Sequence, residues 1–187
     1  MHMDITEVLV ENPIIAAIRN EKELNLALEN NPKVVFILKC TILDVEDMCL
    51  RLKKEGKVVF VHLDMVEGLR GDAIGIEYIK QCKVDGIIST RVNNIKQANK
   101  SGLMTIQRIF MIDSQSLKTG ILGITEAKPT AVEVMPGVAK SIIEKISKAT
   151  RVPVIAGGLI NEKAQVMEGL SAGAIAISTT AKALWNL

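Results

Sequence analysis

The chain has 187 residues, of which 48% are hydrophobic and 24% are charged, and its formal net charge at pH 7 is +2. This composition is typical of a soluble globular protein and excludes the disordered and fibrous classes. A net charge this close to zero also excludes a global electrostatic attraction to nucleic acid or to a membrane surface.

The cysteines indicate a reduced protein. Cys40, Cys49 and Cys82 are odd in number, and their spacing matches no zinc-binding or redox motif. We therefore expect free thiols, no metal site and a cytoplasmic location. Neither the apolar segment of a signal peptide nor the roughly 18 consecutive apolar residues of a membrane span is seen, so we expect no membrane partner.

Short apolar runs rich in β-branched residues recur along the chain and predict strands. Near-continuous apolar content is typical of strands that are buried on both faces of a parallel sheet. The eight predicted strands are Ile14–Ile18, Val34–Leu38, Val58–Leu63, Gly86–Ser89, Thr105–Met111, Ala131–Met135, Val154–Ala156 and Ala174–Ile177.

Amphipathic stretches lie between most of these runs and predict helices. Leu43–Gly56 begins at a plausible N-cap, Asp44, and ends at a glycine. Ala139–Ala149 places isoleucines on one stripe and charged residues around it. Asn161–Leu170 is expected to be capped by Asn161.

Alternating strands and helices indicate βαβ units, and eight units favour closure into a single-domain α/β barrel of the (β/α)8 type. Each unit takes only about 23 residues, against roughly 30 in an ordinary barrel, so we expect one or more helices to be short or missing. An open doubly wound sheet is the alternative. It is less favoured because no glycine-rich dinucleotide fingerprint follows the first strand.

The last two units carry the residues expected to bind phosphate. Gly157-Gly158 follows the seventh strand, and Ser178-Thr179-Thr180 follows the eighth and opens the segment Ala181–Trp185. Glycine lets the backbone approach an anion closely, and hydroxyls with free amides at a helix start form an anion site. Barrels of this type often place a phosphate between loops seven and eight. The alternative is a tight turn followed by an ordinary helix cap.

Charged residues follow several other strands. Arg91 and Arg108 could grip an anion with their planar guanidinium groups. Asp64, Glu67 and Glu133 could accept hydrogen bonds from ligand hydroxyls. The alternative is that these residues form ion pairs with one another across the barrel mouth.

Two further residues could support catalysis. His62 lies near the end of the third predicted strand. It could be a general acid or base, or a hydrogen-bonded histidine of the core. Lys39 could form a Schiff base if it were desolvated, although a salt bridge is the simpler expectation. No pair of residues in the sequence forms a convincing catalytic set.

Several stretches resemble one known family, the glycerol-3-phosphate-responsive antiterminators, also called glycerol uptake operon antiterminator regulatory proteins. The resemblance extends from Asn12–Ala17 to Ser178-Thr179, which is nearly the whole chain. Its most specific segments are Val61–Leu69, Asp85–Arg91, Gln107–Ser114, Glu133–Gly137 and Pro153–Ile160.

This resemblance implies a barrel-like fold and a cytoplasmic regulator instead of an enzyme. It implies glycerol-3-phosphate as the effector, no cofactor, and action on leader mRNA so that transcription passes a terminator. Two basic clusters are candidates for RNA contact, the segment Arg51–Lys57 and the set Lys140, Lys145, Lys148 and Arg151.

Aromatic residues, on which single-stranded RNA stacks, make up only 3% of the chain. We therefore expect RNA binding to depend on the effector and on association into a homo-oligomer, which would join basic patches from several subunits.

Three classes of function remain open from the sequence. They are an RNA-binding regulator gated by glycerol-3-phosphate, a barrel enzyme acting on a phosphorylated polyol or sugar, and a phosphate-ligand sensor that acts through a protein partner.

Overall fold

The structure, a computed structural model, describes residues 4–187. Its centre is a closed barrel of eight parallel strands that neighbour one another in chain order. The strands are β1 (Ile14–Ile18), β2 (Val34–Ile37), β3 (Val58–His62), β4 (Gly86–Ser89), β5 (Met104–Phe110), β6 (Ala131–Met135), β7 (Val154–Gly157) and β8 (Ala176–Thr179). The predicted barrel is confirmed, and the open-sheet alternative is wrong.

Helices surround the barrel on its outside. They are α1 (Ile5–Glu11), α2 (Glu21–Glu29), α3 (Val45–Lys54), α4 (Ala73–Gln81), α5 (Val92–Lys100), α6 (Ser114–Ala127), α7 (Lys140–Ala149) and α8 (Lys163–Ser171). Helices α2 to α8 each follow one of the strands β1 to β7. Strand β8 is followed by a single 3₁₀ turn, Lys182–Leu184, so the expected short helix belongs to the eighth unit.

No helix among residues 4–187 combines the length and the apolar character that crossing a bilayer requires.

Two predicted boundaries are corrected by local hydrogen bonds. The eighth strand begins at Ala176 because the Ala174 N–H still donates to the Gly169 carbonyl in the turn after α8. Ser178 and Thr179 are therefore the last residues of β8, not part of the loop. The predicted cap Asn161 lies one residue too early: Glu162 is the N-cap of α8, and its N–H donates to the Gln165 side chain at 3.1 Å.

The barrel interior is filled by alternate residues of each strand, as the two-residue repeat of a strand requires. Phe36 and Phe60 meet there edge to face, with ring centroids 5.7 Å apart. Helix α1 closes the amino-terminal end of the barrel, where Ile5 and Leu9 join the interior cluster. The other alternate residues pack against the surrounding helices.

This alternation also decides which side chains line the other end. Because Phe60 and Ile106 point inward, the residues two positions later, His62 and Arg108, point inward as well. The same argument places Glu133 after Ala131, and Ser178 after Ala176, in the interior. The carboxyl-terminal layer of the barrel is therefore polar, whereas the layers beneath it are apolar.

Candidate functional site

Two adjoining cavities open at the carboxyl ends of the strands. The smaller, of about 70 Å³, lies between loops seven and eight. The larger, of about 450 Å³, lies over β3, β4 and β5. Leu38 and Arg108 line both cavities, so the two form one continuous mouth with Arg108 at its centre. A polar floor beneath an apolar rim is typical of a small-molecule site.

Arg108 is fixed by a buried network. Its Nε donates to Oε2 of Glu133 at 2.6 Å, and the Ser178 hydroxyl donates to Oε1 of the same carboxylate. Glu133 is 0% exposed and Arg108 is 8% exposed. The terminal amino groups of Arg108 have no protein partner among residues 4–187, so they remain available to an anion in the mouth.

The predicted phosphate loops do come together. Ser178 is the register partner of Gly157, which places β7 and β8 side by side at the mouth. A Cβ added at Gly157 would lie 2.5 Å from both Glu133 Oε1 and Ser178 Oγ, so only glycine leaves room for this network.

The next two residues turn the chain sharply. Gly158 has a φ of +79° and Leu159 a φ of +63°, the second of which is unusual for a residue with a side chain. The backbone N–H groups of Leu159 and Thr180, which both line the smaller cavity, have no hydrogen-bond partner among the described residues. Backbone strain of this kind is concentrated at functional sites.

Thr179 lines the smaller cavity and links the two loops. Its hydroxyl donates to the Ile160 carbonyl at 2.7 Å and accepts from the Ala181 N–H at 3.0 Å. The Trp185 indole donates to the Thr179 carbonyl at 3.0 Å. These bonds hold loop eight against loop seven and leave the Thr179 hydroxyl engaged within the protein.

The Met135-Pro136-Gly137 segment supports loop seven from the other side. The Gly137 N–H donates to the carbonyls of Gly157 at 2.5 Å and Gly158 at 3.1 Å. Because these carbonyls are turned toward Gly137, they do not oppose an anion in the cavity.

Asp64 links the third loop to the fourth. Its Oδ1 accepts from the Ser89 hydroxyl at 2.7 Å and from Asn94 Nδ2 at 3.1 Å. Its Oδ2 accepts from the N–H and the hydroxyl of Thr90 at 2.7 and 2.9 Å. Burial acts to raise the pKa of Asp64, but these hydrogen bonds outweigh it and hold the pKa below its ordinary value. The four acceptor positions of the carboxylate are thus filled by the protein.

His62 lies in the wall of the larger cavity and is 4% exposed. Neither of its ring nitrogens has a hydrogen-bond partner among residues 4–187. Burial, followed by the nearby Arg108 charge, lowers the pKa of His62 to about 4, so the ring is neutral at pH 7. The structure therefore does not support the interpretation of His62 as a hydrogen-bonded core residue.

Lys39 and Arg91 lie farther out. Lys39 is exposed at the edge of the larger cavity and forms an ion pair with Glu67 at 3.2 Å, the salt bridge that the sequence favoured over a Schiff base. Arg91 is exposed beside a further cavity of about 290 Å³, which Asp64 and Arg70 also line, and it lines neither cavity of the mouth. The structure brings Arg108, Glu133, Ser178 and Gly157 together and leaves Arg91 outside this group.

Sequence patterns did not identify several residues of the mouth. Leu38, Met65 and Phe110 form its apolar walls, and Leu159 supplies a free amide. Alternate residues of β2 and β5 point inward, and extending that alternation would have placed Leu38 and Phe110 in the mouth. Nothing in the sequence indicated the left-handed conformation of Leu159.

With this geometry in place, comparison with known proteins is decisive. Residues 14–185 match the family described as "Glycerol-3-phosphate responsive antiterminator". The chain belongs to this antiterminator family.

Solved structures agree with this membership. The chain is similar to the glycerol uptake operon antiterminator regulatory protein of Listeria monocytogenes, with 35% identity, a TM-score of 0.89, and coverage of 92% of this chain and 94% of that one. It is also similar to a glycerol uptake operon antiterminator-related protein of Thermotoga maritima, with 35% identity, a TM-score of 0.83, and coverage of 93% and 98%.

A curated relative in Escherichia coli (strain K12), the uncharacterized protein YgcP, is 30% identical over 186 residues, which are 99% of this chain and 97% of that protein. Barrel enzymes such as aldolases, at 11–14% identity, are similar in structure as well, but likeness at this level shows the fold alone. The family is described as an antiterminator family, and the Listeria protein as a regulatory protein.

The two basic clusters of this antiterminator family member differ in how many of their cations form ion pairs within the protein. In the first, Arg51 pairs with Glu21, Lys53 pairs with Asp85, and the buried Lys57 donates to main-chain carbonyls. In the second, on and just after α7, all four cations are exposed and form no ion pair among residues 4–187. They are Lys140, Lys145, Lys148 and Arg151.

Proposed function

We propose that this protein senses glycerol-3-phosphate in the barrel mouth and, when occupied, binds leader mRNA in the cytoplasm so that transcription passes a terminator. The proposal is carried by one observation: a member of this antiterminator family holds Arg108, with free terminal amino groups, at the centre of a cavity bordered by unpaired amides. The barrel-enzyme alternative has no comparable support in the mouth.

The phosphate of the effector is assigned to the smaller cavity. Leu159, Thr180 and Arg108 all line this space of about 70 Å³, and neither the two N–H groups nor the terminal amino groups of Arg108 have a partner among residues 4–187. A phosphate monoester carries about −1.5 to −2 charges at pH 7 and accepts through three oxygens. Backbone amides and a guanidinium suit such an anion.

The remaining predicted site residues receive supporting roles. Gly157 and Gly158 allow the close approach, Ser178 and Glu133 orient Arg108, and Thr179 holds the two loops together. Lys39 remains at the rim, where it pairs with Glu67. We assign Asp64 and Arg91 no direct ligand contact, because Asp64 is engaged by β4 and its loop, and Arg91 lines neither cavity of the mouth.

RNA contact is assigned to the cations of α7 and Arg151. Their charges are unpaired, whereas most charges of the Arg51–Lys57 segment are neutralised within the protein. Four cations give a weak site, since affinity for the backbone grows with the number of phosphates neutralised. A homo-oligomer would multiply these contacts, and the effector would favour it only if it binds the assembled state more tightly.

Thermal unfolding in the presence of candidate ligands tests the first half of the proposal. Glycerol-3-phosphate is expected to raise the melting temperature by mass action, and glycerol at the same concentration to do much less. Equal shifts from both would remove the phosphate from the explanation, and rapid turnover of the ligand would favour an enzyme instead.

Binding of the leader RNA with and without glycerol-3-phosphate, together with the subunit mass in solution, tests the second half. Tight binding by a monomer that ignores the effector would contradict the proposed coupling.

A further inference from the structure

The larger cavity of the mouth contains a side chain that the phosphate site does not use. Both ring nitrogens of His62, a residue that is 4% exposed and lines this cavity, are buried without a hydrogen-bond partner in the part of the chain that the structure describes. Most buried polar groups in proteins are paired, so an unpaired one in a cavity wall indicates a group that a ligand satisfies.

Among the described residues, none of the polar groups that line the same cavity forms a hydrogen bond with His62. The Asp64 carboxylate already accepts four hydrogen bonds, from Ser89, Asn94 and the two donors of Thr90. The Arg108 Nε is bound to Glu133, and a guanidinium contains only donors, so Arg108 cannot satisfy the donating nitrogen of the ring. The surrounding apolar wall, Leu38, Met65 and Phe110, cannot form hydrogen bonds.

We propose that His62 determines effector specificity by hydrogen bonding to the hydroxyl groups of the polyol end, which would occupy the larger cavity while the phosphate occupies the smaller one. The inference rests on the proposed function for the position of the phosphate. It adds the chemical class that the other half of the mouth accepts, an uncharged polyol with free hydroxyls.

The chemistry of a neutral imidazole fits this class. One nitrogen donates and the other accepts, and a hydroxyl group can do either. Burial and the neighbouring Arg108 charge keep the ring neutral at pH 7. A ligand of the same length without hydroxyls would leave both nitrogens unpaired, and sites built to hydrogen-bond a hydroxyl discriminate strongly against analogues that lack it.

Calorimetric titration with sn-glycerol-3-phosphate and with n-propyl phosphate separates the two halves of the mouth. Both ligands carry the phosphate, but only the first carries hydroxyls. The wild type is expected to prefer glycerol-3-phosphate by tenfold or more. The His62→Phe variant is expected to bind the two ligands within threefold of each other, with its affinity for n-propyl phosphate unchanged.

Two further variants control this comparison. His62→Gln keeps one donor and one acceptor and is expected to retain part of the preference. Tyr78→Phe, which removes a hydrogen bond to the Ile42 carbonyl outside the mouth, is expected to keep all of it. An undiminished preference in folded His62→Phe, or no preference in the wild type, would overturn the role of His62. Failure of the wild type to bind either ligand would overturn the proposed function itself.

NMR spectroscopy of the His62 imidazole tests the same inference without replacing His62, and so remains possible if His62→Phe does not fold. The chain has 2 histidines, so a His2→Ala variant leaves His62 as the single source of imidazole signals in NMR spectra. Saturating glycerol-3-phosphate is expected to shift both ring nitrogen resonances, and n-propyl phosphate to shift them much less. Ring resonances that do not move with bound glycerol-3-phosphate would contradict the inference.

Discussion

The Nε of Arg108 donates to the Oε2 of Glu133 at 2.6 Å, and the carboxylate that holds it is completely buried. This relationship couples the stability of the barrel to the geometry of its mouth. The carboxylate fixes the guanidinium from beneath, so its terminal amino groups are oriented before a ligand arrives. Preorganisation of this kind lowers the entropic cost of binding.

Removing one partner of this pair is expected to destabilise the fold strongly. Glu133→Met or Arg108→Met leaves a buried charge without its counterion, which costs about 3–5 kcal/mol. The double variant Arg108→Met/Glu133→Met removes both charges and is expected to recover much of that loss. Urea denaturation of the four proteins measures the coupling.

The ion pair between Lys39 and Glu67 provides the control, because both side chains are exposed. Lys39→Met is expected to change the free energy of unfolding by less than about 1 kcal/mol. Equal losses from the buried and the exposed pair would show that Arg108 and Glu133 are not energetically coupled.

Substitution of Gly157 and of Gly102 by alanine separates the effect of steric crowding from the effect of backbone strain. Gly157→Ala places a Cβ 2.5 Å from Glu133 Oε1 and Ser178 Oγ, so we expect a loss of about 1–3 kcal/mol and weaker glycerol-3-phosphate binding. Gly102→Ala meets no atom within 4 Å, but its φ of +78° is strained for alanine, at a cost of about 1 kcal/mol.

Only the Gly157 variant is expected to affect ligand affinity. If Gly102→Ala weakened binding as much as Gly157→Ala, general destabilisation and not the crowded network would explain the effect.

The barrel was predictable because buried parallel strands have an almost uninterrupted apolar sequence, as in β2 and β3. The pairing of Gly157 with Ser178 followed from the barrel, since adjacent strand ends must meet. The sequence could not show that Asp64 is saturated by Thr90 and Ser89, because those bonds depend on where the third loop crosses the fourth.

The unpaired state of His62 was equally hidden from the sequence. Its inward direction follows from the parity of β3, but the lack of a partner depends on the side chains that other strands place around it. The sequence predicted Asp64 and Glu133 as equivalent acceptors for ligand hydroxyls. The structure shows that they differ, since Asp64 is engaged at the rim and Glu133 lies beneath Arg108.

Acidification is expected to destabilise the protein through His62. Burial of the ring, and secondarily Arg108, lowers its folded pKa to about 4, against the opposing effects of Asp64 and Glu133. The unfolded chain, with an ordinary pKa near 6.5, therefore binds the proton first as the pH falls. This contribution to stability is complete above about pH 6.5 and is lost as the pH falls to about 4.

The loss from His62 alone is about 3 kcal/mol over that window. It is measured as the difference between the wild type and His62→Phe in urea denaturation at pH 7 and pH 4.5. This difference cancels the carboxylates that do not interact with the ring, whereas the pKa of Asp64 also responds to His62. A difference that stays constant between these two pH values would show that the ring is not held neutral by the fold.

Effector-dependent RNA binding is expected to depend on salt and on α7. Replacing Lys145 and Lys148 by glutamine should lower affinity for the leader RNA. It should also reduce the slope of log affinity against log salt concentration by about one for each RNA phosphate that is no longer neutralised. Lys54→Gln, an exposed cation at the end of α3, is the matched control. Identical slopes for all variants would exclude α7 as the contact surface.

A crystal structure of the protein grown with saturating glycerol-3-phosphate tests the central claim most directly. The account predicts the phosphate between the Leu159 and Thr180 amides, within hydrogen-bond distance of the terminal amino groups of Arg108, and the hydroxyls directed toward His62. Glycerol-3-phosphate bound away from the barrel mouth, or a mouth that remains empty while the ligand stabilises the protein, would contradict it.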